Sequence, residues 1–159
     1  MTNRLLHDAL RALLGLAVVL ILLMQVIALP WLSGELAREF PEVAHMRWPI
    51  LVLAILGLLA VQVSLVCTIR LLGFTRRDDV FTARALPWVD GITGAFLAGG
   101  LVCLVTFVYQ LTQEMGPPAW ILLLLMGTAT GAGLAMLMRV MRRLLVQASA
   151  LRREMDQVI

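Results

Sequence analysis

The sequence predicts an all-α integral membrane protein, a four-helix bundle whose fourth helix extends into a cytoplasmic amphipathic helix. Three observations predict it. Of 159 residues, 61% are hydrophobic and only 14% charged, where soluble domains have about 45–50% apolar and about 25% charged residues. The apolar residues gather into four runs close to the roughly 20 residues that a transmembrane helix needs. The arginines lie almost wholly on one side of those runs. Four such spans use about half the chain and form one membrane domain, which leaves little for a catalytic domain and excludes a disordered chain or an ordinary soluble enzyme.

The first span, residues 12–30, runs from Ala12 to Leu29, is broken only by Gln25 and ends at Pro30. It is longer than the about 7–15 apolar residues of a signal peptide and has no small-residue cleavage site, so it reads as a retained span. The second, 49–69, opens at Pro49, a residue suited to a first helical turn because its missing donor would be unpaired there. It ends at Ile69 before Arg70. The third, 91–111, is entered through Pro87-Trp88-Val89-Asp90, and the fourth, 119–138, through Pro117 and Pro118. Backbone groups in lipid must be satisfied within the segment, so runs of this length are helices.

All 13 basic residues are Arg. Arg4 and Arg11 precede span one, Arg70, Arg76, Arg77 and Arg84 separate spans two and three, and Arg139, Arg142, Arg143, Arg152 and Arg153 follow span four. Only Arg38 and Arg47 lie opposite, beside Glu35, Glu39, Glu42 and Glu114. The positive-inside rule then places both termini in the cytoplasm, as expected of a multi-pass membrane protein with four spans. Trp31, Trp48, Trp88 and Trp120 mark span ends, as an interfacial aromatic belt would.

Span four contains Gly127, Gly131 and Gly133, a GxxxG with overlapping small pairs. Span three offers Gly91, Ala95, Ala98, Gly99 and Gly100. Small residues let helix backbones approach closely in lipid, so these two faces are expected to pack on each other, with a homodimer seam as the competing use. The polar residues at depth, Gln25, Gln62, Ser64, Thr106, Tyr109, Gln110, Thr128 and Thr130, include none that ionises near neutral pH, which argues against an ion relay. Hydrogen bonds between helices are their expected role. Asp90 is the one carboxylate close to a span, at the start of span three, where it suits a helix N-terminus.

No catalytic constellation occurs. Glu35, Glu39, Glu42 and His45 share helical spacing, but Pro41 interrupts them and one His is a weak ligand set, so a solvated acidic face is expected and neither metal nor cofactor. Cys67 and Cys103 sit inside apolar runs as small hydrophobes. The net charge of +3 lacks the clustered soluble face of a nucleic-acid binder, and no direct nucleic-acid contact is expected.

Residues 139–159 are the most patterned soluble part. Leu137, Met141, Leu144, Ala148, Leu151, Met155 and Val158 alternate steps of four and three, an a/d heptad stripe, with Arg142, Arg143 and Arg153 off it. With no Gly or Pro after Gly133, span four can continue as helix. The stripe would be covered by the same chain, by the anionic leaflet of the lipid bilayer, or by another protein chain, including a second copy.

The close Leu144-Leu145-Val146-Gln147-Ala148, then Leu151-Arg152-Arg153-Glu154-Met155-Asp156-Gln157-Val158-Ile159, resembles the LLxQA…LRxELDxVI ending of the DUF2975 family of bacterial membrane proteins. Gln62-Val63, Arg70-Leu71-Leu72, Val80-Phe81 and Val89-Asp90 agree with that resemblance, and Met155 stands where Leu is usual. The resemblance implies about 160 residues and four helices, and supplies no reaction. Together the residues favour a non-enzymatic scaffold or regulatory partner with a basic cytoplasmic face. A small transporter or channel subunit lined by Gln25, Gln62, Gln110 and Thr130 is the alternative.

Overall fold

The computed structural model describes residues 2–75, 85–113 and 118–158, leaving aside the side chains of 2–4, 43, 74–75, 152–153 and 156–158. Among these residues there is no strand. The helices are α1 (Thr2–Leu23), a π-helical turn (Met24–Ala28), α2 (Leu29–Glu39), a 3₁₀ turn (Pro41–Met46), α3 (Arg47–Thr75), α4 (Leu86–Thr112) and α5 (Pro118–Val158). Four helical stretches, Leu5–Glu39, Ala44–Gly73, Leu86–Thr112 and Pro118–Leu151, are long and apolar enough to cross a membrane.

The first helical path does not stop at Pro30. A proline ring inside a regular α-helix clashes with the carbonyl four residues back, here that of Val26. The π turn widens the backbone just before it, so that the Leu29 N–H donates to the carbonyl of Met24, five residues back, and the helix carries on to Glu39. The segment from Ser33 to Trp48 is consequently helical for most of its length and not an open loop. Pro49 lies within the first turn of α3, which begins two residues earlier. Helix α4 likewise starts at Leu86, ahead of the apolar run, with Pro87 in its first turn where no donor is needed. Helix α5 runs unbroken to Val158.

The long helices neighbour one another in chain order. Helix α4 packs most extensively on α5 and next on α3, while α1 packs on α3. The pairs Gly57 and Val102, Ala60 and Gly99, Cys67 and Gly91 run in opposite order along α3 and α4, which are therefore antiparallel. The bundle is an open row, α1 next to α3, α3 next to α4, α4 next to α5, with its interior centred on α4, where Val89, Ile92, Thr93, Ala95, Gly100, Thr106 and Gln110 are buried. Accessible surface totals 11303 Å², where a water-soluble monomer of this mass would have about 7,900 Å². Leu20, Leu22, Leu23, Leu101, Leu122 and Leu123 all face outward. That surface suits hydrocarbon, because in water it would form an apolar patch far beyond what monomeric proteins expose.

Candidate functional site

The seam between α4 and α5 is set by glycine. A methyl group on Gly131 would lie 2.8 Å from Cα of Gly100 and 2.9 Å from the carbonyl oxygen of Phe96, so the two backbones meet where only hydrogen fits. Gly127 sits one turn away against Cys103, whose Sγ would be 2.9 Å from an added methyl. Ala95 is buried. Gly99 and Gly91 turn toward α3, facing Ala60 and Cys67, and Ala98 is exposed. Gly133, two residues and about 200° beyond Gly131, borders open space and takes no part in this seam.

At the end of the row where α3 finishes, α4 starts and α5 leaves its packed stretch, three helices are tied together by charge. The Arg142 Nε donates to Asp90 Oδ1 at 2.6 Å, and Arg70 lies over the Trp88 ring at 5.8 Å. Asp90 falls beyond the first turn of α4. Its partner is thus the guanidinium of α5, not the helix N-terminus that the sequence suggests. Pairing across 52 residues leaves no local pattern to read. Both side chains of the ion pair remain close to half exposed, so its value is positional more than energetic.

Along its length, α5 presents two opposite faces. One carries Leu124, Gly131, Ala135 and Ser149, all buried, with Arg142 between them. The other carries Leu137, Met141, Leu144, Leu151 and Met155, all exposed, with Ala148 half-buried. The apolar stripe is thus the face that the described residues leave uncovered. Arg139 and Arg143 are exposed on other sides of the helix, while the Arg153 side chain, like Arg76, Arg77 and Arg84, lies outside the described residues.

The glutamines at depth bond to backbone, not to one another. Gln25 Nε2 donates to the Ile55 carbonyl at 3.1 Å and Gln62 Nε2 to the Val18 carbonyl at 3.5 Å, so the pair ties α1 to α3 at two levels. The π turn lies at Gln25, the buried residue within it. Gln110 is buried on α4, and its Oε1 and the His7 Nδ1 are enclosed without a hydrogen-bond partner among the described residues. The hydroxyls of Thr93, Thr106, Thr128 and Ser149 donate to carbonyls within their own helices. Thr130 is exposed on α5.

At the opposite end, Arg47 Nε donates to Ser33 Oγ at 3.3 Å and its guanidinium lies 5.3 Å from the Trp48 ring centre, joining α2 to α3. His45 Nε2 is 3.4 Å from Gln113 Oε1, and Glu35 pairs with Arg38 at 3.6 Å. Among the described residues no three His, Cys, Asp or Glu side chains gather as a metal site.

Neither curated proteins nor solved structures match the chain. A family described as proteins of unknown function, DUF2975, matches residues 31–159, which include α3, α4, the Asp90–Arg142 tie and the whole of α5. With the match spanning most of the chain and its full patterned ending, the protein belongs to the DUF2975 family.

Proposed function

We infer that the protein is a non-enzymatic, multi-pass protein of the bacterial cell membrane that acts as a scaffold or regulatory partner through its arginine-rich cytoplasmic face. One observation carries this reading: beyond the Asp90–Arg142 tie, α5 continues as helix and presents Leu144, Leu151 and Met155 outward, with Arg139 and Arg143 exposed on its other sides. A patch of that kind outside hydrocarbon marks an interaction site. The eleven-to-two division of arginines supports the cytoplasmic placement, and four spans bring both termini to one side.

A small transporter or channel subunit has the buried glutamines in its favour. Against it, Gln25 and Gln62 already donate to carbonyls between α1 and α3, while Thr130 faces outward on α5 at the far end of the row. Gln25, Gln62 and Thr130, placed so, do not converge as a pathway near the midplane would need.

A photo-crosslinking residue placed at Arg143, and separately at Arg38, tests the reading in native membranes. Protein adducts from position 143 and none from 38 are expected. Adducts from 38 alone, or only lipid adducts from both, would contradict it.

A further inference from the structure

We propose that the outward face of α5 is the seam of a parallel homodimer, in which α5 of a second copy runs alongside from Gly133 to Met155. The proposal rests on the reading that α5 leaves the membrane near Arg139, and it names the partner of the surface described above.

The first argument is how far the face reaches. From Arg139 to Met155 is 16 residues, so the stripe extends about 24 Å beyond the arginine row at about 1.5 Å per residue. Helix α5 is unbroken over that length and held to α4 by Arg142 and Asp90. With its axis continuing that of the span, the outer end of the stripe stands away from the leaflet, which favours a protein cover over lipid headgroups.

A second argument is continuity across two media. Leu137, Leu144 and Leu151 each stand two residues beyond Ala135, Arg142 and Ser149 of the inner face, and Gly133 stands two beyond Gly131. The same outward line thus holds a glycine with open space above it inside the apolar stretch, and large apolar side chains outside. Close approach through small residues is how helices associate in lipid, and an a/d stripe is how they associate in water. A partner that satisfies both is a membrane helix continuing out of the bilayer in heptad phase, which is what α5 itself is. Copies inserted with the same orientation meet in parallel, and a two-fold axis makes the face self-complementary.

Area and charge agree with a second copy. Leu137, Met141, Leu144, Leu151 and Met155 are 56%, 54%, 54%, 61% and 65% exposed. At roughly 100 Å² apiece they offer about 500 Å² per copy and about 1,000 Å² for two, the threshold for a specific interface, with Leu137 counted at the membrane end of the seam. Positions flanking the stripe between Leu137 and Ala148 are Met138, Val140, Leu145 and Gln147, all uncharged, and further out they are Arg152 and Glu154, one of each sign. Arg139 and Arg143 stand off the seam, and the heptad register of a parallel pair sets Arg152 of one copy opposite Gln147 of the other, not opposite an arginine.

The test places a photo-crosslinking residue at Leu144 or Leu151 of the full chain in native membranes, with Val146, on the opposite side of the helix, as control. Products of twice the chain mass that contain this chain alone are expected from 144 and 151, at least about tenfold above the yield from 146, which faces away from the seam. Leu144→Asp combined with Leu151→Asp should abolish dimer captured from Leu137 while leaving the thermal unfolding of the detergent-solubilised monomer unchanged. Equal capture from 146 overturns the dimer. Adducts only to other proteins overturn it but leave the partner-binding reading standing, and adducts only to lipid overturn both.

Discussion

Gly131 decides how near α4 and α5 come, because every larger side chain there meets backbone atoms of α4 that cannot rotate away. Gly131→Ala is therefore expected to destabilise the protein in detergent by about 1–3 kcal/mol, the usual range for overpacking. Gly94→Ala, where an added methyl has nothing within 4 Å, is expected to be neutral or to stabilise by up to about 1 kcal/mol through helix propensity. Thermal unfolding of the two variants checks both, and equal behaviour would remove the glycine seam as the basis of the packing. The ion pair is a weaker determinant. Asp90→Asn should cost about 0.2–1 kcal/mol, less at high salt, as befits a half-exposed pair. A larger, salt-independent loss in the same unfolding measurement would mean that the pair is shielded from solvent.

At the scale of elements, the spans were legible because hydrocarbon thickness imposes a length that the apolar runs display, and because Arg and Trp mark their ends. Less legible was the continuation through Pro30. A proline after an apolar run reads as a stop, and only a π turn placed one residue earlier relieves the clash that makes it one. The continuous path from α1 into α2 predicts that spin labels at Leu20 and Leu36, both outward-facing, lie about 24 Å apart at about 1.5 Å per residue. Pulsed electron-spin distances several ångströms shorter would show a chain that turns back at the proline. The heptad on α5 was equally visible in the sequence, but not which of its faces the chain would bury. The inner face is polar at Arg142 and Ser149 and apolar elsewhere, so hydropathy alone ranks the outward stripe as the better core. The glycines at 131 and 133 look alike in sequence, and only the docking of α4 distinguishes them.

The molecule as a whole is a row of helices whose two ends are chemically unlike. One carries Arg70, Trp88, Asp90 and Arg142 in contact across α3, α4 and α5, and then the free length of α5. The other carries Arg47 and Ser33, which join α3 to α2, Trp48 under the Arg47 guanidinium, and His45 of the 3₁₀ turn against Gln113 at the end of α4. Pairing across the row was not visible in the sequence, since Asp90 and Arg142 belong to different runs and no local spacing connects them. The reading of the α5 face as a recognition surface depends on which side of the membrane that end occupies. Reporter fusions settle this most directly, with one reporter active only in the cytoplasm and another only outside it, placed after Ile159 and within residues 33–48. The account predicts cytoplasmic activity from the fusion after Ile159 and external activity from the fusion between α1 and α3; external activity from the C-terminal fusion would contradict it.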